Sequence, residues 1–187
     1  MLSLIALVAL TNVAQALRDD PGLASRLDVI VISGGAMHVE KAPAPNAPAE
    51  WNLFIDPHAA DLVFRSGAPL VLVPLDATGK HDPSPILLNR DLARRFAADA
   101  HGRESQLVVR LMLGSLLTDP GAKAVPLGDA VEPAVCADWR DLSIHVALDP
   151  DAVIRETLVD ANGEPNVRVY LAGDQVAFET AYLADGR

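Results

Sequence analysis

Residues 28–35 read DVIVISGG, an apolar run that ends abruptly in two glycines. A short continuous run of this kind favours a strand that is buried on both faces, as the strands of parallel sheets are. Glycine has no Cβ atom, so Gly34 and Gly35 release the backbone from strand geometry. The stretch therefore predicts a central strand with a loop at its carboxyl end.

The segment before this strand has the same pattern. Residues 3–9 form a continuous apolar run, which we interpret as another strand buried on both faces. Thr11 or Asn12 can cap a helix that follows it and ends near Asp20-Pro21. This part of the chain is therefore a strand and a helix leading into the strand at 28–32.

The segment after the glycines continues the alternation. Asp56 as N-cap and Pro57 in the first helical position predict a helix, which Gly67 closes as the C′ residue. Residues 68–76, APLVLVPLD, then predict a third buried strand that ends in a loop from Asp76 to Lys80. Alternating strands and helices are typical of a parallel βαβαβ arrangement.

The second half of the chain predicts helices at about 84–99 and 104–118, with Cys136 as a small buried residue of an apolar helix. Shorter alternating segments follow at about 142–148, 153–159 and 166–171, then a final helix at about 174–184. Asn162-Gly163 indicates a β-hairpin turn between the last two strands. We therefore predict one domain, 1–187, with an α/β fold: an open, mostly parallel sheet flanked by helices, a C-terminal β-hairpin and a terminal helix.

Composition excludes several classes of protein. Half of the 187 residues are hydrophobic and the mean hydropathy is +0.22, which excludes a disordered chain. Twenty-five acidic residues against 15 basic ones give a net charge of −10, and Arg94-Arg95 is the longest basic run. We therefore expect no binding to nucleic acid. The single cysteine, Cys136, rules out an intramolecular disulfide and a cysteine-rich zinc site.

The N-terminus has two interpretations. MLSLIALVAL followed by Ala14-Gln15-Ala16 resembles the apolar region and cleavage site of a secretory signal. No Lys or Arg precedes the apolar run, however, and the run is far shorter than the ~20 residues that cross a bilayer. A buried strand is favoured, which predicts a cytoplasmic protein with no membrane contact.

Glu50 and Asn52 lie in the long connection after the central strand, where ligands bind in open α/β sheets. In an extended segment, residues two positions apart point their side chains to the same side, so Glu50 and Asn52 would face the same way. A carboxylate and an amide side by side can bind vicinal hydroxyls of a sugar. The alternative is that both cap the following helix or satisfy loop backbone, and spacing alone leaves both open.

Several segments carry a resemblance to a known family. They are LTNVAQAL (10–17), DVIVISGGA (28–36), AEWNLFIDPHAADLVFRSG (49–67), VPLDATGK (73–80) and EPNVRVYLAGDQVAFE (164–179). In this order they resemble the inosine-uridine nucleoside hydrolases. The resemblance implies hydrolysis of the N-glycosidic bond of ribonucleosides, with a tightly bound calcium ion.

The resemblance also implies roles for individual residues. Glu50 and Asn52 match the acid and amide that hold the ribose, and Asp129 matches an aspartate of the metal site. Leu7 falls where the family offers a backbone carbonyl to calcium. Ser33 takes the position of a methionine against the nucleoside.

Two further positions are weaker candidates. Asn46 replaces a family asparagine of the long loop only if that loop is realigned. Asp76 either acts behind the site residues or caps its own loop.

One departure from the family pattern limits the predicted activity. The family begins with a strand that ends in an aspartate cluster, which supplies the catalytic base and most metal ligands, and this sequence has no such cluster. We therefore expect an N-terminally truncated hydrolase with an exposed apolar sheet edge, weak calcium affinity and no catalytic base of its own. The alternatives are a non-catalytic binder of ribose or nucleosides, and a structural remnant that associates with another subunit. A homo-oligomer is one such association.

Overall fold

The computed structural model describes residues 2–37, 49–78, 86–99, 102–118, 124–126, 136–148 and 156–184. Its strands are β1 Leu2–Ala6, β2 Leu27–Ser33, β3 Leu70–Val73, β4 Leu87–Asn89, β5 Ala124–Pro126, β6 Cys136–Leu142, β7 Ile144–Val146, β8 Thr157–Val159 and β9 Val167–Gly173. Its helices are α1 Thr11–Asp19, α2 Trp51–Ile55, α3 Pro57–Phe64, α4 Leu75–Thr78, α5 Arg90–Asp99, α6 Arg103–Thr118 and α7 Gln175–Ala184, with a 3₁₀ turn at Ala24–Arg26.

The main sheet has five strands in the order β1-β2-β3-β9-β6. β1, β2, β3 and β9 are parallel neighbours, and β6 pairs with β9 in the antiparallel direction. Two small antiparallel pairs, β4 with β5 and β7 with β8, lie outside it. The predicted α/β fold with a mostly parallel sheet and flanking helices is confirmed.

Each face of the sheet packs against its own helices, because successive strand residues point to opposite faces. On one face, α1 and α3 cover Ile32, Leu72 and Val169, which lie side by side in register. On the other face, α5 and α7 pack with Val73 around the fully buried Phe178. Two separate apolar clusters therefore hold the sheet.

β1 lies at one edge of the sheet, and this corrects the prediction that it is buried on both faces. Leu2 is 63% exposed and Ile5 is 64% exposed, whereas Ala6 is buried against α1. A middle strand needs neighbours on both sides, and among the described residues only β2 pairs with β1. The expected exposed apolar edge agrees with this arrangement.

Three predicted details of the helices were wrong. Leu10 precedes α1 without a side-chain cap, and the hydroxyl of Thr11 donates to Asp56 instead. Residues 84–99 were predicted to be helical, yet 87–89 form β4, and helix α5 begins only at Arg90. The loop predicted from Asp76 begins instead with one helical turn, α4. A fourth detail also differs: Gly67 is left-handed at φ 74°, but it lies two residues after the C-cap Arg65 and is therefore not the predicted C′ residue.

The C-terminal region also differs in two details. Cys136 lies in strand β6, not in a helix. Asn162 and Gly163 do form a turn, closed by the Gly163 N–H donating to the Asp160 carbonyl. However, β8 before this turn pairs with β7, whereas β9 after it joins the main sheet. The antiparallel hairpin pairing is therefore between β7 and β8, and α7 confirms the predicted terminal helix.

In the described part of the chain, no helix combines the length and the apolar character that crossing a membrane requires.

Candidate functional site

Glu50 lies at the carboxyl ends of β1 and β2 as the N-cap of α2. Its Oε1 accepts from the N–H of Asn52 at 2.9 Å, and its Oε2 accepts from Leu53 N–H at 3.2 Å and Gly35 N–H at 3.1 Å. A Cβ on Gly34 would lie 3.1 Å from the same Oε2, so glycine allows this approach. The buried carboxylate thereby joins α2 to the glycine turn after β2.

Asn52 lies on the first turn of α2 and is half-buried. Its Nδ2 donates to the Ser33 carbonyl at 2.9 Å and to the Leu7 carbonyl at 3.4 Å. Ser33 is the last residue of β2, and Leu7 directly follows β1. One amide therefore joins the ends of two strands to a helix. Both N–H groups of the amide are used, while its Oδ1 accepts no hydrogen bond from the described residues.

The relative orientation of the pair corrects the prediction of an extended segment. Glu50 has extended backbone at ψ 145°, but residues 51–55 are helical. The carboxylate turns towards backbone N–H groups, while the amide turns towards carbonyl groups. The capping role that the spacing left open is therefore present for Glu50, and Asn52 joins strand ends beside it.

Asp56 fixes the next helix next to this pair. Its Oδ1 accepts from Ala59 N–H at 3.0 Å, and its Oδ2 accepts from the Thr11 hydroxyl at 2.8 Å. The Ala59 N–H, and after it the Thr11 hydroxyl, lower the pKa of Asp56 below its usual value. The predicted cap of α3 is confirmed, and it also connects α1 to the site.

The other predicted residues separate into two groups. Asp76 is buried on α4 and accepts from Met37 N–H at 2.8 Å, which favours its role in holding the loop. Ser33 ends β2, and its carbonyl contacts Asn52. Asn46 and Asp129 lie outside the described residues, so their predicted roles stay predictions.

Asn166 has a role that sequence reasoning missed. Its Nδ2 donates to the carbonyls of Phe64 at 3.1 Å and Ile144 at 2.9 Å, and its Oδ1 accepts from Ile144 N–H at 2.7 Å. It joins the end of α3 to β7 as Asn52 joins α2 to two strands. No local sequence signal identifies it, because Phe64 is 102 positions away.

Thr157 on β8 was also missed. Its hydroxyl is buried and has no hydrogen-bond partner among the described residues, and it faces Gly35, where a Cβ would lie 3.5 Å from it. Most buried hydroxyls in proteins do have a partner, so Thr157 is unusual within the part of the chain that the structure describes.

The described residues do not fit a calcium site by themselves. Calcium takes six to eight oxygen ligands. Among the described residues, no three His, Cys, Asp or Glu side chains are grouped to hold a metal. The Leu7 carbonyl already accepts from Asn52. A calcium ion at Leu7 would therefore need most of its oxygen ligands from outside the described residues.

The sequence profile of the inosine-uridine preferring nucleoside hydrolases matches residues 1–180. The chain belongs to this family. It is 43% identical over 89 residues to the pyrimidine-specific ribonucleoside hydrolase RihA of Klebsiella pneumoniae, a match covering 47% of this chain and 27% of that protein. With the Escherichia fergusonii RihA it shares 48% over 71 residues, which is 37% of this chain and 22% of that one.

Solved structures with the same fold include a purine-preferring ribonucleoside hydrolase from Gardnerella vaginalis. Its TM-score is 0.75 at 22% identity, and the match covers 98% of this chain but 60% of that one. An inosine-uridine preferring hydrolase from Bacillus anthracis has a TM-score of 0.72 at 22% identity, covering 98% and 59%. The chain thus spans about three-fifths of these hydrolases, and its matches span about a quarter of the curated relatives.

Proposed function

We propose that this chain supplies the sugar-binding part of a ribonucleoside hydrolase, which cleaves the N-glycosidic bond of a ribonucleoside with water to release ribose and free base. Family membership supports the reaction class. The named relatives include both pyrimidine-specific and purine-preferring hydrolases, so they leave the base open.

The observation that carries the proposal is the acceptor on Asn52. Its two N–H groups are held by the carbonyls of Leu7 and Ser33, so the amide cannot turn freely and its Oδ1 is fixed. That oxygen accepts from none of the described residues, and it lies at the carboxyl ends of parallel strands. We infer that a ribose hydroxyl donates to it.

In this proposal Glu50 both caps helix α2 and supplies a fixed negative charge near the ribose. Three backbone N–H groups hold its carboxylate in one orientation beside Asn52. Loss of the base leaves positive charge on the ribose ring. A fixed negative charge favours that transition state over the neutral ground state, which is how an electrostatic group accelerates a reaction.

A second candidate function follows from what the described residues lack. They contain no cluster of acidic side chains that activates water or holds a metal. The described residues alone therefore favour a ribose or nucleoside binder that does not catalyse. Catalysis then depends on acidic residues beyond the described ones, including Asp129, with calcium as the expected metal. Cytoplasmic location, a single domain and self-association stay predictions.

Calorimetric titration with D-ribose and with uridine tests the proposal. We expect the wild type to bind both, Asn52→Ala to lose at least ten-fold in affinity, and Asn166→Ala to bind as the wild type does. Asn166 is a matched control because its amide also joins two carbonyls but has its oxygen occupied. Equal affinity of the wild type and Asn52→Ala would exclude the proposed sugar contact.

A further inference from the structure

A cleft of about 600 Å³ lies between helices α1 and α3. This volume is within the range of about 300–1,000 Å³ that is typical of small-molecule sites. Its lining includes neither Glu50 nor Asn52. Most of the lining comes from the ends of the two helices, which run from the carboxyl ends of the parallel strands back to their amino ends. The cleft is therefore separate from the proposed sugar site.

The floor of the cleft is apolar. Leu17 near the end of α1 is buried, Leu62 on α3 is half-buried, and both line the cleft. Pro21 and Ala24 extend this apolar surface along the connection to β2. A ligand that carried only charge would leave the floor in contact with water, so the floor favours a ligand with an apolar body.

Three basic side chains and one acidic side chain lie around this floor. Arg18 comes from α1, whereas His58, Asp61 and Arg65 come from α3 and its C-cap. The whole chain has a net charge of −10, so this cleft differs in sign from the protein that carries it. A locally positive cleft attracts anions.

The guanidinium of Arg18 forms no hydrogen bond or ion pair with another described residue. Arg65 donates from Nε to Asp61, and its two Nη groups donate to none of the described residues. Two guanidinium groups at the cleft therefore keep N–H donors that a ligand can use. The carboxylates on and next to α1 and α3 are each held by another side chain: Asp19 by Gln15, Asp20 by Arg26, Asp56 by Thr11 and Asp61 by Arg65.

We propose that this cleft binds a small organic anion, with a phosphate or carboxylate group against Arg18 and Arg65 and an apolar body between Leu17 and Leu62. A guanidinium can donate two parallel hydrogen bonds to either anionic group. The hydroxyl of Ser66, which also lines the cleft, can donate another. The proposal does not depend on ribose binding, because the two sites share no residue.

Calorimetric titration with phenyl phosphate and with phenylacetate tests the proposal and distinguishes the two anionic groups. We expect saturable one-to-one binding of at least one compound, and the tighter of the two identifies the group. Arg18→Gln should weaken binding about ten-fold, because hydrogen bonds to charged groups are lost. Its Tm should not change, since the exposed guanidinium has no partner in the described structure. Arg94→Gln, at an exposed arginine of α5 on the other face of the sheet, should bind as the wild type does.

Four results would overturn the proposal. Folded wild type that binds neither compound at about 10 mM removes the site. Equal affinity of the wild type and Arg18→Gln removes the guanidinium contact. Inorganic phosphate and acetate that bind as tightly as the phenyl compounds remove the role of the apolar floor. Competition by D-ribose would place the probe in the sugar site instead, whereas loss of ribose binding alone would leave this cleft unaffected.

Discussion

Asn52 and Asn166 occupy two similar clusters in this molecule, and they differ in one hydrogen bond. Each donates from Nδ2 to two backbone carbonyls and so joins separate elements. Asn166 also accepts from Ile144 N–H, whereas the Oδ1 of Asn52 accepts from none of the described residues. The amide of Asn166 is fully used by the fold, whereas the amide of Asn52 keeps an oxygen that accepts from none of the described residues. We propose that this difference separates a structural amide from a ligand-binding one.

The largest effect on stability is expected at Glu50, which lies beside Asn52. Glu50→Ala removes the acceptor of three backbone N–H groups in a buried position, so it should lower the free energy of unfolding by about 3 kcal/mol. Glu50→Gln keeps one acceptor oxygen and should cost less. Urea unfolding measures both losses. A loss below about 0.5 kcal/mol for Glu50→Ala would show that the three hydrogen bonds to its carboxylate do not stabilise the fold.

The second prediction compares the two asparagines directly. Asn166→Ala leaves the Ile144 N–H and two carbonyls without their partner, and should cost about 2 kcal/mol. Asn52→Ala leaves only two carbonyls without their donor, and the site is half-buried, so water can replace part of what is lost. It should lower the free energy of unfolding by about 1 kcal/mol. Urea unfolding of the two variants side by side gives the order. A larger loss for Asn52→Ala than for Asn166→Ala would contradict the view that Asn166 is the structural amide of the two.

Much of this arrangement follows from the sequence, and part of it does not. Continuous apolar runs and the Asp56-Pro57 start predicted β2 and α3 because each signal is local. Helix α2 was missed because five residues are too few to show a helical period. Asn166 was missed because its partner Phe64 is distant in sequence.

The edge position of β1 shows a different limit. Its sequence is typical of an interior strand, and no local signal in it shows that, among the described residues, only β2 pairs with it. Hydrophobicity predicts what a strand is suited to, whereas its exposure depends on the elements around it.

A third prediction concerns the glycine turn that Glu50 holds. Gly35 has φ 84° and a Cβ there would lie 3.2 Å from Leu72 Cδ2, whereas Gly67 has φ 74° and open space around it. Gly35→Ala should therefore cost about 2 kcal/mol and Gly67→Ala about 1 kcal/mol. Thermal unfolding of both variants measures the difference. Equal losses would mean that the turn tolerates a side chain against Leu72.

The smallest effect is a pH dependence at Asp56, next to Asn52. Hydrogen bonds from Ala59 N–H and the Thr11 hydroxyl hold the folded pKa of Asp56 below its ordinary 3.8. Its ionised form therefore adds stability above pH 3.8, which is lost as the pH falls through the lowered value. Asp56→Asn keeps an acceptor for Ala59 N–H but replaces the oxygen that accepts from the Thr11 hydroxyl and removes the charge, so it should be about 1 kcal/mol less stable than the wild type at pH 7. The difference should shrink below pH 3.8 in acid unfolding, and a constant difference would contradict it.

Side-chain amide NMR of Asn52 tests the central claim most directly. In a titration of the ¹⁵N-labelled protein with D-ribose, the Asn52 Nδ2 signals should shift with saturation as a hydroxyl donates to the adjoining Oδ1. The Asn166 signals should stay in place, since its oxygen is occupied. Saturable ribose binding that leaves the Asn52 amide unmoved, or moves both amides equally, would contradict the account.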